Sequence, residues 1–177
     1  MINTARLVLR RFREEDYVAL YAYLSNPGIY WFEPGGPISL EKAKELCIER
    51  SQGTDYWAVT LRSTDELVGH LSFRQTEAEE FHTWELGYIF NPAFQNKGYA
   101  TESARALIEY GFRHFGIHRV VAYCSPENIA SWRVLEKIGM RREGYFRKNI
   151  FFNCDGDGEP IWLDTYQYAI LEEERFK

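Results

Sequence analysis

The feature that most constrains this chain is a strand, a tight loop and a helix in immediate succession between residues 83 and 115. Thr83-Trp84-Glu85-Leu86-Gly87-Tyr88-Ile89-Phe90 is rich in aromatic and β-branched residues and is stopped by the turn-forming pair Asn91-Pro92. Ala104, Leu107, Ile108, Phe112 and Phe115 then recur at helical spacing, which predicts a helix over residues 101–115 with one apolar face. Residues 118–123 read as the next strand. A strand returned to the same sheet by a helical crossover must run parallel to its predecessor, so an α/β fold is required around this point.

Between the strand and the helix lies Gln95-Asn96-Lys97-Gly98-Tyr99-Ala100. A helix that begins after a glycine-containing loop presents unpaired N–H groups and the positive end of its dipole, and both attract phosphate oxygens. Gly98 lets the backbone approach an anion closely, and Lys97 adds positive charge beside it. The segment is neither of the two better-known phosphate loops. A nucleoside-triphosphate loop needs Gly-Lys followed by Ser or Thr, whereas the order here is Lys97-Gly98-Tyr99. A dinucleotide fingerprint needs three spaced glycines, which are absent. Taken alone, the segment fits either a phosphate cradle or an ordinary loop with a convenient glycine.

Other patterns place further elements around this junction. Residues 6–10 read as a strand, and residues 14–24 as a helix stopped by Ser25-Asn26-Pro27-Gly28. Ser39 caps a second helix running to about residue 51, with Leu40, Ala43 and Cys47 on its inner side. Residues 56–61 and 67–75 read as a hairpin turning at Ser63-Thr64-Asp65. Residues 130–137 read as a short helix ended by Gly139, and residues 144–152 and 162–171 as two last strands around Asp155-Gly156-Asp157-Gly158. No repeat or linker divides the chain. The economical result is one α/β (α+β) domain over residues 1–177, with a twisted, mixed, mostly antiparallel sheet of about seven strands and helices on both faces.

Composition narrows the partners. The formal net charge of −5 argues against a nucleic acid and favours cationic acceptors such as amines. The three cysteines, Cys47, Cys124 and Cys154, are odd in number and show no close pairing, which favours a reducing cytoplasm over a disulfide framework. No apolar run reaches membrane length, so no membrane partner is expected.

Three segments resemble the GNAT superfamily of acyl-CoA-dependent N-acetyltransferases. Gln95, Gly98 and Ala100 fill the places of that family's pyrophosphate loop: Gln or Arg, two variable residues, Gly, one variable residue, Gly or Ala. Asn128-Ile129-Ala130-Ser131-Trp132-Arg133-Val134-Leu135-Glu136-Lys137-Ile138-Gly139-Met140 looks like its Asn, Ser and Glu-Lys-hydrophobic-Gly segment. Thr4-Ala5-Arg6-Leu7-Val8-Leu9-Arg10 and Trp162-Leu163-Asp164-Thr165-Tyr166 are similar to the branch that includes ribosomal-protein N-terminal acetyltransferases. The resemblance resolves the two readings of the loop toward a cradle. It implies that the two parallel strands splay, with the pantetheine arm of acetyl-CoA in the gap. Backbone groups of Tyr88, Ile89 and Phe90 would pair with the arm. Gln95, Asn96, Lys97, Gly98, Tyr99, Ala100 and Thr101 would wrap the pyrophosphate, and Asn128 would meet the arm from the far side. The implied activity is direct transfer of acetyl from acetyl-CoA to a primary amine, on a protein N-terminus or a small molecule, without a metal. A homodimer is left open.

The chemistry asks for a neutral amine, an oriented thioester and a partner for the leaving thiolate. A lysine-like amine, with a reference pKa of about 10.4, must first lose a proton. Glu85 is the candidate base: in a regular strand it shares a face with Gly87 and Ile89, and an acetyl group would fit above Gly87. The competing reading makes Glu85 a solvated or ion-paired strand residue, and a bulge would turn it to the other face. Many family members carry a tyrosine directly before the Glu-Lys pair, where this chain has Leu135. That departure motivates an alternative, a CoA-binding sensor or scaffold without turnover. Ser131 matches a serine common in the resembled branch and is the candidate thiolate partner, or else a capping hydroxyl near Asn128. Trp31, Phe32 and Glu33, before Pro34-Gly35-Gly36-Pro37, read as a substrate-binding lip, or as a loop whose aromatics fold back on the core. Asp155-Gly156-Asp157-Gly158 lacks the remaining ligands of a calcium loop and reads as a hairpin turn.

Overall fold

The computed structural model describes residues 1–76 and 78–175, and its centre is the strand-loop-helix unit. The strands are β1 (Ile2–Asn3), β2 (Leu7–Arg10), β3 (Tyr56–Leu61), β4 (Leu67–Thr76), β5 (Thr83–Phe90), β6 (Arg119–Cys124), β7 (Arg141–Cys154) and β8 (Pro160–Leu171). They form one sheet in the order β1-β2-β3-β4-β5-β6-β8-β7. The β5–β6 pair is parallel and the other pairs are antiparallel. The helices are α1 (Tyr17–Leu24), α2 (Leu40–Gln52), α3 (Tyr99–His114) and α4 (Ile129–Lys137). The expected domain over residues 1–177 includes residues 77, 176 and 177, which lie outside the described residues.

Strand alternation divides the core into two layers. Trp84, Leu86, Tyr88 and Phe90 of β5 pack with Ala104, Leu107 and Ile108 of α3 and Leu135 of α4. Ile89 points the other way, into a cluster of Leu20, Tyr23 and Leu24 of α1, Cys47 of α2 and Ala58 of β3. The β4–β5 ladder runs without a register shift from Gly69–Phe90 to Thr76–Thr83, so β5 carries no bulge against β4. Glu85, Gly87 and Ile89 therefore share the face covered by α1 and α2.

Several expected boundaries move, each for a local reason. The sheet has eight strands rather than about seven, because the two-residue β1 is too short to leave a periodic signal. The helix expected from residue 14 opens as a 3-10 turn, Glu14–Asp16. There Asp16 receives the Arg10 guanidinium through 2.7 and 2.8 Å bonds and the Arg13 N–H at 2.7 Å. The long helix starts at Tyr99 and ends at His114, and β7 and β8 are longer than expected. α4 closes as expected at Gly139, whose φ of 89° lets its N–H reach Glu136 O and the Met140 N–H reach Leu135 O. The turn between β7 and β8 is built on Asp155, whose Oδ1 accepts the N–H groups of Asp157 and Glu159.

Candidate active site

The parallel β5–β6 ladder pairs Thr83 with Arg119, Trp84 with Val120 and Glu85 with Val121, and goes no further. β6 continues alongside β8 to Cys124–Tyr166, while β5 continues alongside β4 to Phe90–Gly69. The two strands thus diverge after Glu85. The second halves of β5 and β6 flank a gap, with the start of α3 at the end of β5 and the start of α4 just past the end of β6.

The two helix starts differ. α3 has Gly98 as its N-terminal cap, with φ 79° and no side-chain cap bond. Its first amides are left without the usual internal acceptor. Asn96, with φ 58°, and Gly98 place two left-handed residues around Lys97, so the chain turns sharply into the helix. The Gln95 side chain donates to Phe90 O at 3.2 Å and so ties the loop to the strand end. The Lys97 ammonium lies 4.9 Å from the Phe94 ring centre. α4, in contrast, is capped by Asn128, whose Oδ1 accepts the Ser131 N–H at 3.2 Å. The cap is therefore Asn128 and not the Ser131 hydroxyl.

That hydroxyl faces β5 instead. Tyr88 Oη lies 2.9 Å from Ser131 Oγ and donates to Ser131 O at 2.9 Å, so the tyrosine spans from β5 to α4. Burial raises the Tyr88 phenol well above its ordinary value. Cys124, at the end of β6, also meets the Ser131 hydroxyl, and burial pushes its thiol up to about 11. Leu135 is 1% exposed and belongs to the core, so the position offers nothing to the gap.

On the opposite face Glu85 is one-third exposed, with its carboxylate 4.0 Å from the Arg74 guanidinium directly across the β4–β5 ladder. The expected space above Gly87 is taken up: a Cβ there would collide with Ser72 Oγ, because Ser72 is the ladder partner of Gly87. Trp31 ends a 3-10 turn, Pro27–Trp31, and is 76% exposed, whereas Phe32 and Glu33 are half-buried. Desolvation pushes the Glu33 carboxyl up to about 7. Its charge adds a little to the rise of the Tyr88 phenol, whose main cause is burial.

A cleft of about 790 Å³ opens beside the α3 start, lined by Arg6, Gly98, Thr101, Glu102, Arg105 and Lys137 among others. Arg105 donates to Lys137 O at 2.7 Å, joining α3 to the end of α4. Sequence reasoning missed Ser72, Arg6 and Glu102. Ser72 is visible only once strand register is known, and Arg6 and Glu102 meet across 96 residues of sequence. Among the described residues no group of three or more His, Cys, Asp or Glu is placed to hold a metal ion. No helix among them is long and apolar enough to cross a membrane.

Comparison with known proteins agrees with this fold. Residues 6–141 match the model of an acetyltransferase (GNAT) domain. The chain is 45% identical over 175 residues to the uncharacterized N-acetyltransferase YnaD of Bacillus subtilis (strain 168), covering 98% of each chain. It is 35% identical over 180 residues to the ribosomal protein uS5-alanine N-acetyltransferase of Escherichia coli (strain K12), covering 96% of this chain and 89% of that one. The crystal structure of a GNAT-family acetyltransferase from Bacillus anthracis superposes with a TM-score of 0.87 at 42% identity, covering 98% of this chain and 99% of that one. The chain belongs to the GNAT family of acyl-CoA-dependent N-acetyltransferases.

Proposed function

We propose that the protein transfers acetyl from acetyl-CoA to a primary amine by direct attack on the thioester, the acceptor being a protein N-terminus or a small-molecule amine. The observation that carries this reading is the gap after Glu85–Val121 together with the uncapped start of α3 at its rim. Backbone groups of Tyr88, Ile89 and Phe90 line the gap and suit the pantetheine amides. The Gln95 to Thr101 backbone, with Gly98 at the helix start and Lys97 beside it, suits the pyrophosphate. Asn128 uses its oxygen on its own helix and keeps its NH₂ for the arm.

Glu85 takes the proton from the incoming ammonium. Its carboxylate stands on the face of Gly87 and Ile89, 4.0 Å from the Arg74 guanidinium opposite. The amine nitrogen then bonds to the carbonyl carbon, the carbon–sulfur bond breaks, and the proton the nitrogen sheds on becoming an amide passes to the thiolate sulfur, giving free CoA thiol. The Ser131 hydroxyl, held toward the gap by Tyr88, hydrogen-bonds the departing thiolate. Trp31, Phe32 and Glu33 meet the acceptor, with Glu33 supplying negative charge for a cationic amine. The net charge of −5 and the absence of close cysteine pairs suit a cytoplasmic enzyme of this kind.

Release of free thiol from acetyl-CoA over a panel of N-terminal peptides, polyamines and amino sugars tests the reading. At least one class should turn over, and Glu85→Gln should lower kcat by about 100-fold or more with CoA affinity kept. Tight acetyl-CoA binding with no thiol release across the panel would replace the enzyme with the sensor or scaffold that Leu135 suggests.

A further inference from the structure

The start of β2 is joined to the first turn of α3 by more bonds than a surface contact needs. Glu102, in that turn, accepts from the Thr4 hydroxyl at 2.6 Å and from the Arg6 N–H at 2.9 Å on one oxygen. Its other oxygen lies 2.7 Å from both Nε and Nη2 of Arg6. The third guanidinium nitrogen, Nη1, donates at 2.9 Å to the carbonyl of Lys97, inside the loop that precedes the helix. The same guanidinium lies 4.8 Å from the Tyr99 ring centre and 3.4 Å from the place a Cβ on Gly98 would occupy. One arginine therefore touches the loop, the cap position and the first turn of the helix at once.

The covalent geometry of the loop gives this contact a direction. Among the described residues no peptide bond is cis, so the Lys97 carbonyl and the Gly98 N–H point in opposite directions across their peptide bond. A carbonyl turned toward Arg6 aims the Gly98 N–H away from it, which leaves that N–H to an incoming anion. Gly98, at φ 79°, leaves this peptide free to flip, because a flip changes ψ of Lys97 and φ of Gly98 and glycine accepts either sign of φ. Without a holder, the peptide has two orientations, and one of them would turn a carbonyl oxygen to an incoming phosphate.

We propose that Arg6, braced by Glu102, is a positioning residue that sets the Lys97–Gly98 peptide in the orientation that receives the pyrophosphate of acetyl-CoA. The proposal rests on the reading of Gln95 to Thr101 as the pyrophosphate cradle. The arginine acts through the backbone and not as a phosphate ligand. Its charge is already committed to the Glu102 carboxylate and the Lys97 carbonyl, and a planar group that reaches both acceptors at once is one that lysine cannot reproduce.

The two modes of action make opposite predictions for Glu102. If local charge alone governed binding, Glu102→Gln would remove a negative group near the phosphates and tighten CoA. If the brace matters, the same substitution loosens Arg6 and weakens CoA. We expect Arg6→Ala, Arg6→Lys and Glu102→Gln each to raise the Kd of CoA by at least about tenfold, with the Arg6→Ala, Glu102→Gln double variant no worse than the poorer single one. Turnover of S-acetylpantetheine, which lacks the pyrophosphate, should change less than about twofold in the same variants. Thermal melts identify any variant that fails to fold, and Glu102→Gln keeps the test open if Arg6→Ala is one of these. Unchanged or tighter CoA binding by Glu102→Gln, or equal losses with CoA and S-acetylpantetheine, would overturn the proposal. Failure of the unmodified protein to bind CoA would instead overturn the cradle on which it rests.

Discussion

Two helices start at the edges of the same gap, and they end their first turns in different ways. α4 closes its own N-terminus with Asn128, then brings the Ser131 hydroxyl against Tyr88 and Cys124 in a buried cluster. α3 has a glycine where a cap belongs, no cap bond, and a first turn fixed from outside by Arg6 and Thr4. A capping side chain on α3 would occupy the amides that a phosphate needs. A helix start with its own cap is stable by itself, whereas one without a cap needs external bracing and gains an anion site. The first arrangement suits a reacting end, where a hydroxyl must be held in place, and the second suits a binding end.

The largest test of this contrast is Gly98→Glu. The new carboxylate would stand among the free amides and repel phosphate, and its backbone would be held at φ 79°, a conformation costing about 1–2 kcal/mol for a residue with a Cβ. CoA affinity should fall by about 100-fold or more, read by calorimetry, and an unchanged Kd would remove the cradle from the α3 start. The next effect belongs to α4. Ser131→Ala should lower kcat by about tenfold while leaving the KM for acetyl-CoA within about twofold, because the Tyr88 bond to the Ser131 carbonyl survives. Equal losses in kcat and in CoA binding would make the α4 start a binding end as well, and the contrast would fail.

The α3 start was legible in the chain and much of the rest of the gap was not, for physical reasons. The α3 site is built from backbone, so its requirements appear as local constraints: a strand, a glycine at the turn, a helix period. The α4 block was legible through its resemblance, although the cap fell to Asn128 rather than to Ser131, since both residues have the chemistry to cap and only geometry separates them. Ser72 and Arg74 were missed because they matter only as ladder partners of Gly87 and Glu85 across the β4–β5 pair. A hairpin pattern predicts that strands pair and leaves register open when apolar residues occur on both faces, as they do in Leu67–Thr76. Arg6 and Glu102 carried no signal at all as a pair, because nothing local links residues 96 positions apart.

Asn128→Ala gives a smaller and sharper comparison. Removing a side-chain cap costs about 1 kcal/mol, which corresponds to a fall in Tm of about 2–4 °C for a chain of this length. Gly98→Ala should cost a similar amount through backbone strain, yet it should weaken CoA more than Asn128→Ala does, since the asparagine variant loses only the one NH₂ contact to the arm. Matching losses of stability with unequal losses of affinity would separate a structural cap from a ligand-receiving one. A loss of affinity in Asn128→Ala as large as in Gly98→Ala would show that both helix starts hold the cofactor to the same degree.

The smallest effect concerns Glu33, half-buried just after the Pro27–Trp31 turn. Desolvation raises its carboxyl from its ordinary value near 4.5 to about 7, so the folded protein binds a proton here that the unfolded chain releases. The sign follows directly. Below pH about 4.5 the group is neutral in both states and has no influence on stability. As pH rises toward 7 the unfolded chain ionises freely while the folded one resists, and the destabilisation is fully present above the folded value. Glu33→Gln should therefore raise Tm by about 2 °C at pH about 8, with the gain vanishing toward pH about 5. The same change should remove any rise in acceptor kcat/KM between pH about 6 and 8, since a cationic amine is drawn only to the ionised carboxylate. The carboxyl at the α3 start is Glu102, which the Thr4 and Arg6 hydrogen bonds hold below its ordinary value against its partial burial, so CoA affinity should keep the same pH dependence in both proteins. A CoA affinity that changed its pH profile with Glu33→Gln would couple the binding end to the reacting end and undo the division between them.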